Sequence, residues 1–176
     1  MTVMVSSANG SLSERVDLDV IVEGPDARGL TDADVRRLFP GNSPSGVRLN
    51  RLRNWPRVVV RVDDTVAAVA TYTQTPVETQ IPDFAIGIPS AVGPERSRLA
   101  ERVLDALLDA VEVASVAGGC QRIVLIPSVA SVDDMERRGY AVVRDGYAGS
   151  WMEKGLLPRH STSCITTSAG CIRRFA

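Results

Sequence analysis

The chain predicts a mixed α/β domain in which a mostly antiparallel central sheet is flanked by helices and contains one parallel strand-helix-strand crossover. The clearest observation is the stretch from Asp83 to Ile126, a buried strand, a polar turn with several Arg, a long amphipathic helix and a second buried strand. The second is Arg57 to Gln74, two β-rich runs around Asp63-Asp64, which reads as a hairpin. The third is size: 176 residues, 44% of them hydrophobic and 23% charged, can bury one ordinary core.

In chain order, residues 1–14 are Ser-, Gly- and Asn-rich without periodicity and read as a flexible terminus. The domain is expected over 15–157. Arg15 to Val22 alternates charged and apolar residues, as a strand with one wet face does. Thr31 and Asp34 form a capping pattern ahead of a short helix that Pro40-Gly41 ends. Asn42 to Trp55 has no clean period and reads as a loop with at most one helical turn. After the hairpin, Val77 to Ile88 is the next antiparallel strand.

Within Arg98 to Ala117, the apolar residues Leu99, Val103, Ala106, Leu107, Ala110, Val111, Ala114 and Ala117 recur at steps of three and four, one face of a helix. Gly93-Pro94 suits its start and Gly118-Gly119 its end. Arg122 to Ile126 is short, β-branched and apolar, as a strand covered on both faces should be. Ser131 and Asp134 cap a short helix ended by Gly139, and Tyr140 to Arg144 with Gly149 to Lys154 form a closing hairpin.

A formal charge of -1 with acids and bases interspersed leaves no electrostatic footprint for nucleic acid. No apolar run approaches the roughly 20 residues that span a bilayer, and the start lacks the pattern of an export signal, so the cytosol is the default compartment. His160 stands alone and makes no metal cluster, and Cys120 reads as a small buried hydrophobe.

The element order resembles the GNAT superfamily of acyl-CoA-dependent N-acyltransferases over roughly 15–157. The residues that carry the resemblance are Asp83-Phe-Ala-Ile86 on the central strand, Arg96 to Leu104 at the phosphate-binding turn, Arg137-Arg-Gly-Tyr140 at the exit of the short helix, and Trp151-Met-Glu-Lys154 on the last strand. It implies an acyl-CoA, acetyl-CoA or another, wedged between two splayed central strands, Thr79 to Ile88 and Arg122 to Ile126. The pantetheine would pair with backbone at Ile86, Gly87 and Ile88, and the pyrophosphate would meet Arg96, Ser97 and Arg98 at the helix start. Free amides and the helix dipole favour an anion there whatever the family.

The match is degenerate. The family's turn reads Q/R-x-x-G-x-G/A, whereas this chain has Arg96-x-x-Leu99-x-Glu101, with a side chain and a carboxylate where glycine or a small residue belongs. Four residues before Gly139, where the family often places a Tyr as general acid, stands Met135, which has no proton to donate; Tyr140 and Tyr147 are nearby alternatives. For the general base, Asp83 is the best-placed carboxylate and Glu78 the second, against the plain reading that both are solvated strand charges. Arg96 and Arg98 likewise have a plain reading as a wet helix turn.

Residues 158–176, rich in Ser, Thr and Cys, leave the fold pattern and read as a disordered tail. Ser161, Thr162, Ser163, Thr166, Thr167 and Ser168 interleaved with Cys164 and Cys171 also resemble the core of a dehydrated, thioether-bridged peptide. The expectations are therefore an N-acyltransferase acting on an amine of a small molecule or protein, as monomer or homodimer; a GNAT-like domain that binds without catalysis; or a carrier whose tail is the substrate.

Overall fold

The computed structural model describes residues 17–25, 27, 30–41, 43–88, 94–127, 130–146 and 149–156. Both expected terminal segments, 1–14 and 158–176, lie outside the described residues. The elements are β1 (Leu18–Glu23), α1 (Asp32–Leu38), α2 (Gly46–Asn54), β2 (Arg57–Val62), β3 (Thr65–Gln74), β4 (Glu78–Ile86), α3 (Pro94–Ala117), β5 (Arg122–Leu125), α4 (Val132–Arg137), β6 (Ala141–Gly146) and β7 (Gly149–Gly155). Seven strands make one sheet in the order β1-β2-β3-β4-β5-β7-β6. Every neighbouring pair is antiparallel except β4 and β5, the two strands that α3 connects.

The sheet is covered on both faces. On one, Val103, Leu104, Leu107, Leu108 and Val111 of α3 and Met135 of α4 pack on Val58, Val60, Phe84, Ile123 and Leu125. On the other, Val35 and Leu38 of α1 and Leu52 of α2 pack on Val59, Val66, Val69 and Ala85. The alternation of Val58 and Val60 with Val59 between the two clusters is why β2 reads as an unbroken apolar run. The α3 stripe is the expected one widened by Leu104 and Leu108, while Ala117 is exposed.

Local chemistry explains most boundaries. Thr31 and Ser131 each accept a hydrogen bond from the backbone N–H of Asp34 and Asp134, whose carboxylates accept in return from the N-cap backbone. Asp63 and Asp64 turn the β2–β3 hairpin at φ 47° and 62°. Both central residues of such a turn need positive φ, which Asp tolerates better than most. Gly119, at φ 78°, stops α3.

The decisive irregularity is in β4. Thr73 faces Gln80 and Thr71 faces Asp83, so two steps along β3 are matched by three along β4. Ile81 and Pro82 together oppose Tyr72, which is a β-bulge. It explains why Ile81 and Phe84, three residues apart, point into the same cluster. On its other side β4 pairs with β5 only from Glu78↔Arg122 to Ile81↔Leu125. Beyond the bulge β4 runs on to Ile86 while β5 ends at Leu125, and the two strands part.

The segment Asn42 to Trp55 corrects the expectation of a loop: it holds a nine-residue helix, Gly46–Asn54, capped by Ser45, whose hydroxyl accepts from the Arg48 N–H at 3.3 Å. Only Leu52 of this helix is buried. Its place is set by polar contacts instead. Arg57, with no exposed side-chain surface, donates to the carbonyls of Leu52 (3.2 Å) and Arg53 (3.0 Å) in the last turn of α2 and to Glu23 of β1 (2.6 Å). A cation there satisfies the orphan carbonyls and the negative end of the helix dipole. Arg57→Leu should therefore leave those carbonyls and Glu23 without their partner and lower stability by about 3 kcal/mol or more. Urea denaturation measures this, and a loss below about 1 kcal/mol would mean that water replaces the guanidinium.

Candidate functional site

Where β4 and β5 part, the edge of β4 from Pro82 to Ile86 faces a slot instead of a strand. At its open end lies a cavity of about 120 Å³ lined by Ile86, the α3 residues Ala100, Glu101 and Leu104, Ala130, and the α4 residues Asp134 and Arg138 just beyond the helix. The early turns of α3 thus stand beside the parted edge, with the strand on one side and α4 on the other.

The expected donor-binding residues fall at this end but behave differently. Ile86 is half-buried on the cavity wall, and Ile88 is half-buried against the α3-side core. The Gly87 N–H already donates to the Ala67 carbonyl at 2.8 Å. A Cβ on Gly87 would lie 2.4 Å from the Arg37 carbonyl oxygen and 2.9 Å from Leu38 Cα. Glycine is required there for the close approach of α1. Arg96, Ser97 and Arg98 are exposed on the first turn of α3.

The two departures noted at the helix start also separate. Leu99 packs against the core below the sheet, so the apolar stripe of the helix claims it and it does not fill the mouth. Glu101 lines the cavity. Arg138, the guanidinium on the same wall, donates to the Asp105 carboxylate at 2.7 Å and the Asp134 carbonyl at 2.9 Å. Asp134 accepts from the Ser131 hydroxyl and backbone and pairs with Arg137, and these bonds, the hydroxyl's first, hold its carboxyl below the usual range.

The two candidate bases differ in position. Asp83 lies on the parted stretch of β4, 6% exposed, and its side chain meets α2. Arg51 Nη2 donates to Asp83 Oδ1 at 3.1 Å and Arg51 Nε to Oδ2, while Arg48 Nε stands 3.3 Å from Oδ1. Arg48 also donates to the Phe84 carbonyl at 3.1 Å and lies 4.4 Å over the Phe39 ring. Glu78 opens the zipped part of the pair. At about 3.3 Å per residue it is some 26 Å from Ile86, so it takes no part in the mouth. Its carboxyl, hydrogen-bonded first by Gln80 and then by Arg122, sits below the usual range, a poorer base still.

Met135 is fully buried in the α3-side core. Tyr140, 2% exposed, lies beside the second half of α3, where burial first and then the charges of Glu112 and Asp109 push its phenol above the ordinary value. From Ala100 to Glu112 is about 18 Å along the helix, so Tyr140 is remote from the mouth. Tyr147 lies outside the described residues. Cys120 is buried with its thiol 3.3 Å from the Thr75 carbonyl, the small-hydrophobe role expected of it. No group of acids, His and Cys with metal-site geometry occurs among the described residues, and none of the helices searched is long and apolar enough to cross a membrane.

No family profile matches the chain, and neither does any curated protein. Solved structures do. A probable acetyltransferase from Staphylococcus epidermidis superposes with a TM-score of 0.56 at 12% identity, over 80% of this chain and all of that one. A GNAT family acetyltransferase from Elizabethkingia anophelis with acetyl-CoA bound gives 0.52 at 9% identity, over 79% and 98%. An aminoglycoside 6'-N-acetyltransferase from Enterococcus faecium gives 0.51 at 16% identity, over 72% and 89%. The fold is the GNAT fold, with the parted strands and the crossover helix in the expected places.

The close approach at Gly87 gives a direct test of how the mouth is built. Gly87→Ala must displace the end of α1 or the last turn of β4, and should cost about 1–3 kcal/mol. Urea unfolding of the variant measures this, and an unchanged midpoint would show that α1 gives way freely.

Proposed function

We propose that the chain transfers an acyl group from a pantetheine thioester, acetyl-CoA being the simplest soluble form, to an amine of a small molecule or protein. The observation that carries this reading is the parting of β4 and β5 beyond Ile81 and Leu125 beside the early turns of α3. The β4 edge that β5 leaves beyond Ile81 suits an extended arm carrying amides, which adds to a sheet edge as another strand would. The solved structure with acetyl-CoA bound has the same fold and supports the choice of donor.

In such a transfer the amine lone pair attacks the thioester carbonyl, the C–S bond breaks, and the sulfur leaves as thiolate. The amine gives up a proton and the thiolate takes one. Asp83 is the carboxylate on the parted stretch, and Arg51 and Arg48 pair with it there. It serves the incoming amine as an electrostatic anchor or, through water, as proton acceptor. Met135 has no proton to give and Tyr140 is remote, so among the described residues nothing replaces solvent as the thiolate's proton source.

The second reading is a GNAT-fold domain that binds without turnover. Acyl transfer requires donor binding, so thermal denaturation with acetyl-CoA tests the premise. At about 100 times the dissociation constant a ligand adds about 2.7 kcal/mol, which raises the midpoint of a chain this size by about 5–10 °C. No shift at millimolar acetyl-CoA would remove the transfer reading. A shift without release of free thiol in the presence of varied amines would favour the binding domain.

A further inference from the structure

Arg48 reaches the parted edge of β4 from the α2 side. The Gly87 N–H bonds to the Ala67 carbonyl, and the register counts down from that pair. Asp83, Ala85 and Gly87 therefore exchange bonds with β3, while Phe84 and Ile86 turn their N–H and C=O toward the slot. Arg48 Nη2 donates to the Phe84 carbonyl at 3.1 Å. A zipped β5 would bring backbone N–H groups to this edge; here a guanidinium comes up to it from below. The Phe39 ring lies 4.4 Å from Arg48, and Arg48 Nε stands 3.3 Å from Asp83 Oδ1 without hydrogen-bond alignment. Arg51 grips Asp83 with two nitrogens and, among the described residues, makes no bond to the β4 main chain. Two guanidiniums against one carboxylate leave the cluster with one positive charge over.

That surplus charge sits where the reactive end of a donor would come. The slot is closed at Ile81 by its pairing with Leu125 and opens toward Ile86, so an arm laid along β4 from the mouth carries its thioester innermost. Phe84 is two residues in from Ile86, about 7 Å. We propose that Arg48 is a catalytic residue whose guanidinium binds the thioester oxygen and stabilises the charge that develops on it. The inference rests on the acyl-transfer reading above and adds the group that activates the carbonyl. As the amine lone pair adds to the carbonyl carbon, the π pair moves onto oxygen; it returns as the C–S bond breaks and the sulfur leaves as thiolate. Arg48 gives up no proton at any stage and acts as a fixed cation.

Carbon-13 NMR of acetyl-CoA labelled at the thioester carbonyl reads this contact in the bound donor with no acceptor present. Polarised by the cation, the carbonyl in the wild-type complex should resonate downfield of free acetyl-CoA. In Arg48→Met the signal should return to the free position while the dissociation constant changes by about threefold or less, since such a contact gains most of its strength in the transition state. Arg51→Met removes a tether of α2 but leaves Arg48 at the edge, so its complex should keep the downfield signal. Four results would overturn the role of Arg48 while acyl transfer stands: a wild-type carbonyl at the free position, a downfield signal that survives Arg48→Met, a signal lost equally in Arg51→Met, or loss of donor binding in Arg48→Met. If acetyl-CoA binds none of the three proteins, both readings fall.

Discussion

The architecture depends on one extra residue in β4. Placing Ile81 and Pro82 opposite the single Tyr72 turns the strand at its middle, and Pro82 has no N–H to offer any neighbour. Before the bulge β4 is zipped to β5; after it, the strand leans on β3 alone. A regular sheet at this point would bury the edge that now faces the slot. The bulge also resets which residues meet which helix layer, sending Phe84 toward α3 and Asp83 toward α2. One irregularity therefore opens the slot and aims the carboxylate beside it.

The helices divide the work around that opening. α3 lies over the sheet through five buried aliphatic residues, a contact that fixes where its first turns stand. α1 and α2 close the opposite face. α1 has its own small apolar core and presses on the backbone at Gly87, whereas α2 is held through Arg48 and Arg51 on Asp83 and through Arg57 on its last carbonyls. Two layers with different binding physics meet at β4. The α3 side of the slot is apolar with acids at its rim, and the opposite side is charge-paired.

What could be read from the residues was what local chemistry determines. Two capping boxes, the Asp63-Asp64 turn and the stripe of α3 as far as Ala114 follow from periodicity and caps and lie where they were expected, whereas β5 lies in its expected place but alternates, with Ile123 and Leu125 buried and Val124 only half-buried. α2 escaped notice because a helix with one buried residue has no apolar period; the Ser45 cap, followed by Leu49 and Leu52 at helical spacing, was the available signal. The bulge was equally silent to alternation, although a proline in the middle of a central strand pointed to it. Asp83 ranks ahead of Glu78 along the chain, and the register with Arg122 adds that Glu78 stands at the closed end. Leu99 belongs to the helical stripe and also to the motif position, and packing decided in favour of the stripe.

Because α2 is tethered mainly by charged side chains and buries a single apolar residue, little besides those tethers and Leu52 resists its opening. Added electrolyte, which leaves the valine-rich sheet untouched, weakens the partly exposed arginine tethers. Amide protons of this helix should thus be among the first to exchange with deuterium, and the floor beneath Asp83 becomes a breathing panel in an otherwise stiff frame.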